Sequence, residues 1–318
     1  MLANFEAKLD EMDERQFRAL TGLSKEEFYK LLSVFAICYK EKQREKYEKE
    51  KDTRKREPGG GQKGRLDTPE KKLFFILYYY KVYPTFDVMG DRFALDRSKA
   101  CTNVHKLTPV LAHALHKLGV LPKRKFDSVE EMEAAFAGIE DLFIDASERP
   151  HSRPKEDEEQ KKKYSGKKKG HTVKNTVISD IRKVILFLGY TIFGSRHDYG
   201  QFKEEFPPDL DWFNEFKLWV DLGYFGIETD YEALEIHIPH KKPRKSKANP
   251  NPELTAEQKE ENRCINQIRV LVEHAIGGIK RFNILIAKFR NRRENFVDDV
   301  ALLTAGLWNW KLALKGIA

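Results

Sequence analysis

The sequence predicts an α/β protein: an all-helical N-terminal region, then a strand-rich core closed by a long helix. Between residues 17 and 125, apolar side chains recur at helical spacing behind capping residues. From residue 138 onward short apolar runs alternate with polar stretches, and two of those runs meet an Asp. Residues 255–290 then return to helical periodicity.

In the N-terminal region, Ser24 and Glu27 form a capping box ahead of Phe28, Leu31, Leu32 and Phe35, so a helix is expected to about Tyr39. Residues 41–65 alternate Lys, Arg and Glu and run into Pro58-Gly59-Gly60-Gly61, which predicts an exposed helix end and a flexible basic linker closing the first segment, 1–65. Residues 66–125 predict a helix-turn-helix. Asp67 or Thr68 caps a helix with Pro69 in its first turn, Pro84-Thr85 opens a short second helix to Phe93, and Asp96 to Ser98 opens a third reaching about Leu111. On that third helix Arg97, Ser98, Lys99, Thr102 and Asn103 are of the types that reach base edges or phosphates. A three-helix packing unit with no DNA role fits the same periodicity.

The remaining domain, 138–318, predicts strands at about 141–147, 171–179, 184–192, 216–224 and 235–239, followed by helix from Thr255 to Arg290. Three strands, a connection, a fourth strand and then helices is the order of a ribonuclease H-like fold. Residues 148–170 are too polar for a strand and predict a mobile basic loop that includes Lys167, Lys168 and Lys169.

The candidate chemistry lies on three of these segments. Asp145 follows Leu142-Phe143-Ile144 and Asp221 follows Leu218-Trp219-Val220. An Asp ending an apolar strand is costly to bury unpaired, so it either faces solvent or gathers around a cation. Downstream, Arg269, Glu273 and Lys280 stand four and seven residues apart. At 100° per residue Ile268, Val272, Ala275, Ile279 and Phe282 form a core stripe, with the Arg, Glu and Lys together on a second stripe. Hard oxygen ligands without a neighbouring His or Cys cluster suit Mg²⁺ or Mn²⁺. His274 points about 100° away from Glu273 and is not assigned as a ligand. His197-Asp198 reads as a capped loop that also offers a weaker metal or water contact.

Composition agrees with a polyanionic partner. The chain of 318 residues carries a formal charge of +8 and a pI near 9.1, with basic runs at 161–169, 241–247 and 280–293. Cys38, Cys101 and Cys264 are odd in number and widely spaced, which fits a reducing cytoplasm and not a disulfide framework or zinc site. No signal or bilayer-length apolar segment is read, so a soluble intracellular protein is expected.

The ordered set Asp145, Asp221 and Glu273, with Arg269 and Lys280 spaced R-x3-E-x6-K, resembles the DDE transposases of bacterial insertion sequences, including endonucleases related to Harbinger-type elements. Further pieces are Ile144 to Pro150, Tyr164 to Thr172, Gly194-Ser195-Arg196-His197-Asp198 and Asp221 to Gly226. The resemblance spans about residues 15–310. It departs at Asn266, where the family often has a Tyr three residues before the Arg. The resemblance implies that Asp145, Asp221 and Glu273 hold two Mg²⁺ ions, replaceable by Mn²⁺, for cleavage of transposon ends and strand transfer into target DNA. Arg269 and Lys280 would then hold phosphates, and the protein would act as a homodimer or larger homo-oligomer on double-stranded DNA at a bacterial nucleoid. A transposase-derived DNA-binding regulator that no longer cuts would keep the same residues.

Overall fold

Local capping sets most helix boundaries in this computed structural model, which describes Leu9 and residues 11–53, 64–247 and 249–316. The glycine-rich loop expected to begin at Pro58 lies, as far as residue 63, outside the described residues. Asp13 caps α1 (Glu14–Thr21), and Gly22 then turns the chain with a positive φ of 81°. Ser24 and Glu27 form the expected capping box of α2, which runs from Lys25 to Glu50, well past Tyr39. Thr68 caps α3 (Pro69–Val82), with Pro69 at its start.

Contacts divide the chain into two compact units: Met1–Leu121 with Ile279–Ala287 and Asn291–Ile317, and Pro122–Gly278 with Lys288–Arg290. In the first unit α3 is the central element, since Lys72 to Tyr80 are all buried. Phe17 and Phe28 meet edge to face, and Phe74, Phe75 and Tyr78 surround Phe93. Two turns follow α3. Tyr83 ends it in the left-handed region, Thr85 caps α4 (Phe86–Phe93), and Ala94, also left-handed, leads to the Asp96 cap of α5 (Arg97–Lys117). The expected end near Leu111 is corrected, because α5 continues past Pro109 to Lys117 on a buried face that includes Leu111, Ala114 and Leu115.

The sequence did not single out α11 (Phe296–Ala313), which is buried on nearly every side. Trp310 donates from its indole to the Glu27 carbonyl, Asn309 to the Val120 carbonyl and Lys311 to the Gly22 carbonyl. These bonds and its apolar faces group α11 with the N-terminal helices, although it belongs in sequence to the predicted 138–318 segment.

The second unit holds the predicted α/β core. Its sheet runs β2 (Tyr164–Ser165), β3 (Gly170–Ser179), β1 (Asp141–Pro150), β6 (Phe213–Trp219), β7 (Ala233–His237), with β4 (Ile185–Leu188) and β5 (Ile192–Phe193) pairing β3. The β1–β3 pairing is antiparallel, whereas β1–β6 and β6–β7 are parallel. This mixed order is that of a ribonuclease H-like core. Helices α6 (Val129–Ala135) and α8 (Asp198–Glu205) supply Met132, Phe202 and, at their ends, Phe136 and Phe206 to a core with Ile144, Ile178 and Leu218. The short α9 (Ile227–Asp230) precedes β7, and α10 (Ala256–Ile279) follows it.

Three expectations are corrected here. Residues 148–170 are not one loop: β1 extends to Pro150 because it pairs with β3 as far as Thr172, and α7 (Asp157–Lys163) precedes β2. The fourth strand ends at Trp219, before Asp221. The long helix stops at Ile279, a turn follows, and Asn283–Leu285 forms a separate 3-10 turn.

The turn between α4 and α5 yields a paired prediction. A side chain at Gly90 would come within 2.6 Å of the Leu95 carbonyl oxygen, whereas Ala94 holds a φ of 49° that glycine adopts without strain. Gly90→Ala should therefore destabilise the protein, and Ala94→Gly should stabilise it by roughly 1 kcal/mol. Urea denaturation of both variants checks the opposite signs.

Candidate active site

The parallel register of β1 and β6 positions the first two acids. Asp141 pairs with Lys217 and Phe143 with Trp219. Asp145 and Asp221 each lie two residues beyond that last rung, Asp145 within β1 and Asp221 just past the end of β6, so they stand at the same level and on the same face. Below them, the Phe143 and Trp219 rings stack at 5.9 Å. Asp145 accepts a hydrogen bond from the Ala146 N–H at 2.7 Å, and Asp221 caps the 3-10 turn Leu222–Tyr224 by accepting one from the Gly223 N–H at 2.8 Å. A Cβ at residue 223 would approach Asp221 Oδ1 to 2.7 Å, so a larger residue there would shift this carboxylate.

Electrostatically the site is short of positive charge. Burial pushes the Asp145 carboxyl up to about 6, and the charges of Asp221 and Asp198 push it the same way against Arg269. Asp198 starts α8 and is held by Lys174, whose ammonium lies 2.7 Å from its carboxylate and is itself buried. The Tyr224 hydroxyl is fully buried, has no hydrogen-bond partner, and is pushed well above its ordinary value by burial and by Asp145, Asp198, Asp221 and Glu205. A carboxylate raised by burial and by neighbouring carboxylates, beside an unpartnered hydroxyl, is a donor set that a hard divalent cation would suit. The set is open: among the described residues, the group of three ligand atoms within 4.8 Å of one another is Cys38, Glu41 and His113, so Asp145, Asp221 and Glu273 stand farther apart.

Helix α10 presents a different face from the one its spacing implies. Val272, Ala275 and Ile279 are buried as expected, but Ile268 is 37% exposed and Arg269 only 8% exposed. Arg269 therefore joins the buried stripe, with its Nε unpartnered and its charge acting on the Asp145 carboxyl. Glu273, one turn on, is exposed, and Lys280 lies in the turn after the last helical residue, not on the helix.

The remaining predicted contacts are surface groups. Arg97, Ser98, Lys99 and Thr102 are exposed on the first turns of α5, where the Lys99 N–H is capped by Asp96 and Asn103 donates to the Lys99 carbonyl. Lys167, Lys168 and Lys169 are exposed in the tight turn joining β2 to β3, with Lys169 at a positive φ of 49°. Lys174, Tyr224 and Glu205 were not singled out as site residues. A Lys inside an apolar strand was the available signal for Lys174, while nothing local marks Glu205.

Comparison with known proteins decides the family. A profile described as DDE superfamily endonuclease matches residues 144–309, and one described as helix-turn-helix of DDE superfamily endonuclease matches residues 64–117. The chain is 30% identical over 309 residues, covering 97% of itself and 98% of its relative, to a probable transposase for insertion sequence element IS702 from Microchaete diplosiphon. The chain belongs to the DDE superfamily of insertion-sequence transposases. No solved structure matches it. DDE-family endonucleases generally use divalent metal ions, and the helix-turn-helix of this DDE-family chain, α3 to α5, implies DNA binding. Among the described residues no helix is long and apolar enough to cross a membrane.

Two measurements test the charge balance around these acids. Burial raises Glu205 from 4.5 to about 7, despite a 2.8 Å hydrogen bond from Gln201. Its folded pKa lies above its unfolded one, so stability should fall as pH rises through that window and level off above it, with Asp145 adding in the same direction from 3.8 to about 6. Glu205→Gln should match the parent near pH 5 and exceed it at pH 8 by up to roughly 3 kcal/mol. Urea unfolding at both pH values decides, and a gap independent of pH counts against the burial account. Tyr224→Phe removes a buried hydroxyl that has no partner and should raise stability by about 1 kcal/mol. A loss of stability in the same assay would mean that the hydroxyl is bonded.

Proposed function

We propose that this chain is an active transposase that binds the terminal inverted repeats of its element and carries out metal-dependent cleavage and strand transfer. The observation that carries this reading is the shared register that sets Asp145 and Asp221 side by side, with Arg269 of α10 beside them. Asp145 and Asp221, joined by Glu273 from the same helix as Arg269, would hold Mg²⁺, with Mn²⁺ able to substitute. Bound there, two ions would supply activation of water at an end phosphodiester and stabilisation of the leaving oxygen.

The chain's own residues do the rest. Arg269, anchored by its burial, presents a planar fork for a phosphate, and Lys280 offers a point charge to a neighbouring one. Arg97, Ser98, Lys99, Thr102 and Asn103 meet the terminal repeat from α5, while Lys167, Lys168 and Lys169 follow the backbone without reading sequence. Hydrolysis leaves a 3′-hydroxyl that the same acids can direct at target DNA. Two ends must be held together, so a homodimer or larger homo-oligomer on DNA is the working form.

Separation of binding from chemistry tests this reading. Asp221→Ala should retain end binding in a gel-shift assay and lose Mg²⁺-dependent nicking of supercoiled DNA carrying the element's ends. Simultaneous loss of both in a folded protein would contradict the assignment, and a parent protein that binds ends but never nicks would mark a non-cutting regulator. Lys280→Ala should leave metal affinity unchanged while reducing joining and flattening the salt dependence of end binding by about one phosphate contact. Unaltered joining and salt slope would remove Lys280 from the site.

A further inference from the structure

A cysteine, a carboxylate and an imidazole converge in the first unit. Cys38 and Glu41 stand three residues apart on one face of α2, and His113 faces them from α5. Their ligand atoms all lie within 4.8 Å of one another. We propose that Cys38, Glu41 and His113, contrary to what the cysteine spacing alone predicts, form a transition-metal site of the zinc class that ties α5 to α2.

The donor set selects the ion. Thiolate and imidazole are borderline-soft ligands that favour Zn²⁺ over Mg²⁺, and the two anionic ligands offset the dication. In a tetrahedral site with metal–sulfur near 2.3 Å and metal–nitrogen or –oxygen near 2.0–2.1 Å, ligand atoms stand roughly 3.3–3.8 Å apart. The observed spacing closes to that by small side-chain rotations. Lys117, one turn beyond His113, donates to both Glu41 oxygens at 2.6 and 2.7 Å, and His113 Nδ1 lies 3.9 Å from the nearer one. Metal binding exchanges one of the lysine contacts for coordination, and the other oxygen keeps Lys117 as its orienting partner. Cys38 is buried while the His113 and Glu41 side chains are 30% and 39% exposed, so the sulfur sits on the inner side and a fourth position faces solvent.

The site would clamp the helix whose first turn carries Arg97, Ser98 and Lys99. It is independent of the catalytic reading, because none of its ligands belongs to the Asp145–Asp221 group. The purified full chain, stripped by chelator and titrated with Co²⁺, should develop a near-ultraviolet thiolate-to-cobalt charge-transfer band and bind one equivalent of Zn²⁺ in competition with a chromophoric chelator. Cys38→Ser and His113→Ala should each abolish the band and weaken Zn²⁺ binding at least about tenfold, whereas Asp221→Ala should keep both. His113 is partly exposed, so its variant serves if the buried Cys38 change impairs folding. Absence of the band in the parent protein, or a band that survives either ligand variant, overturns the site.

Discussion

The parallel pairing of β1 with β6 is the constraint on which the candidate site depends. Its last rung, Phe143 with Trp219, is fixed by ring stacking on one face and by the Trp219 indole donating to Asp141 at 2.7 Å. Because side chains alternate along a strand, a slip of one residue would send Asp221 to the opposite face from Asp145. Trp219 thus acts as a register pin: its ring also stacks on His237 of β7 at 3.8 Å, so three neighbouring strands are aligned by one side chain.

Around that rung the sheet buries more charge than an apolar core tolerates, and each charge is met differently. Arg149, buried on β1, donates to Asn175 and to Thr191, which hold the strand end beyond Asp145 against β3 and the segment after β4. Lys174 neutralises Asp198 from the next strand. Burial and the neighbouring carboxylates hold the Asp145 carboxyl and the Tyr224 hydroxyl above their ordinary values, a setting in keeping with the proposed cation site.

The first unit solves a different problem, building a core from helices distant in the chain. Helix α11 closes it by burying Trp308 and Trp310 and by bonding to the Glu27, Gly22 and Val120 carbonyls. The helix-turn-helix is therefore part of a unit that includes the C-terminal helix, and removal of the first 125 residues would strip α11 of the surfaces that bury it.

Features that depend on residues a few positions apart could be read from the chain alone. The Ser24–Glu27 capping box, the Thr68 and Pro69 start of α3, the α4 and α5 starts at Thr85 and Asp96, and the apolar runs leading to Asp145 and Asp221 were all legible. Each is a short-range hydrogen-bonding or periodicity effect. Packing settled what remained. Arg269 is buried where its charge acts on Asp145 of a distant strand, and α5 continues past Pro109 because its final turns have a core to cover. Helix α11 joins the N-terminal helices, and Cys38 meets His113, only because helices far apart in the chain pack together. Burial and proximity are properties of two facing surfaces, and one strand of sequence shows only one of them at a time.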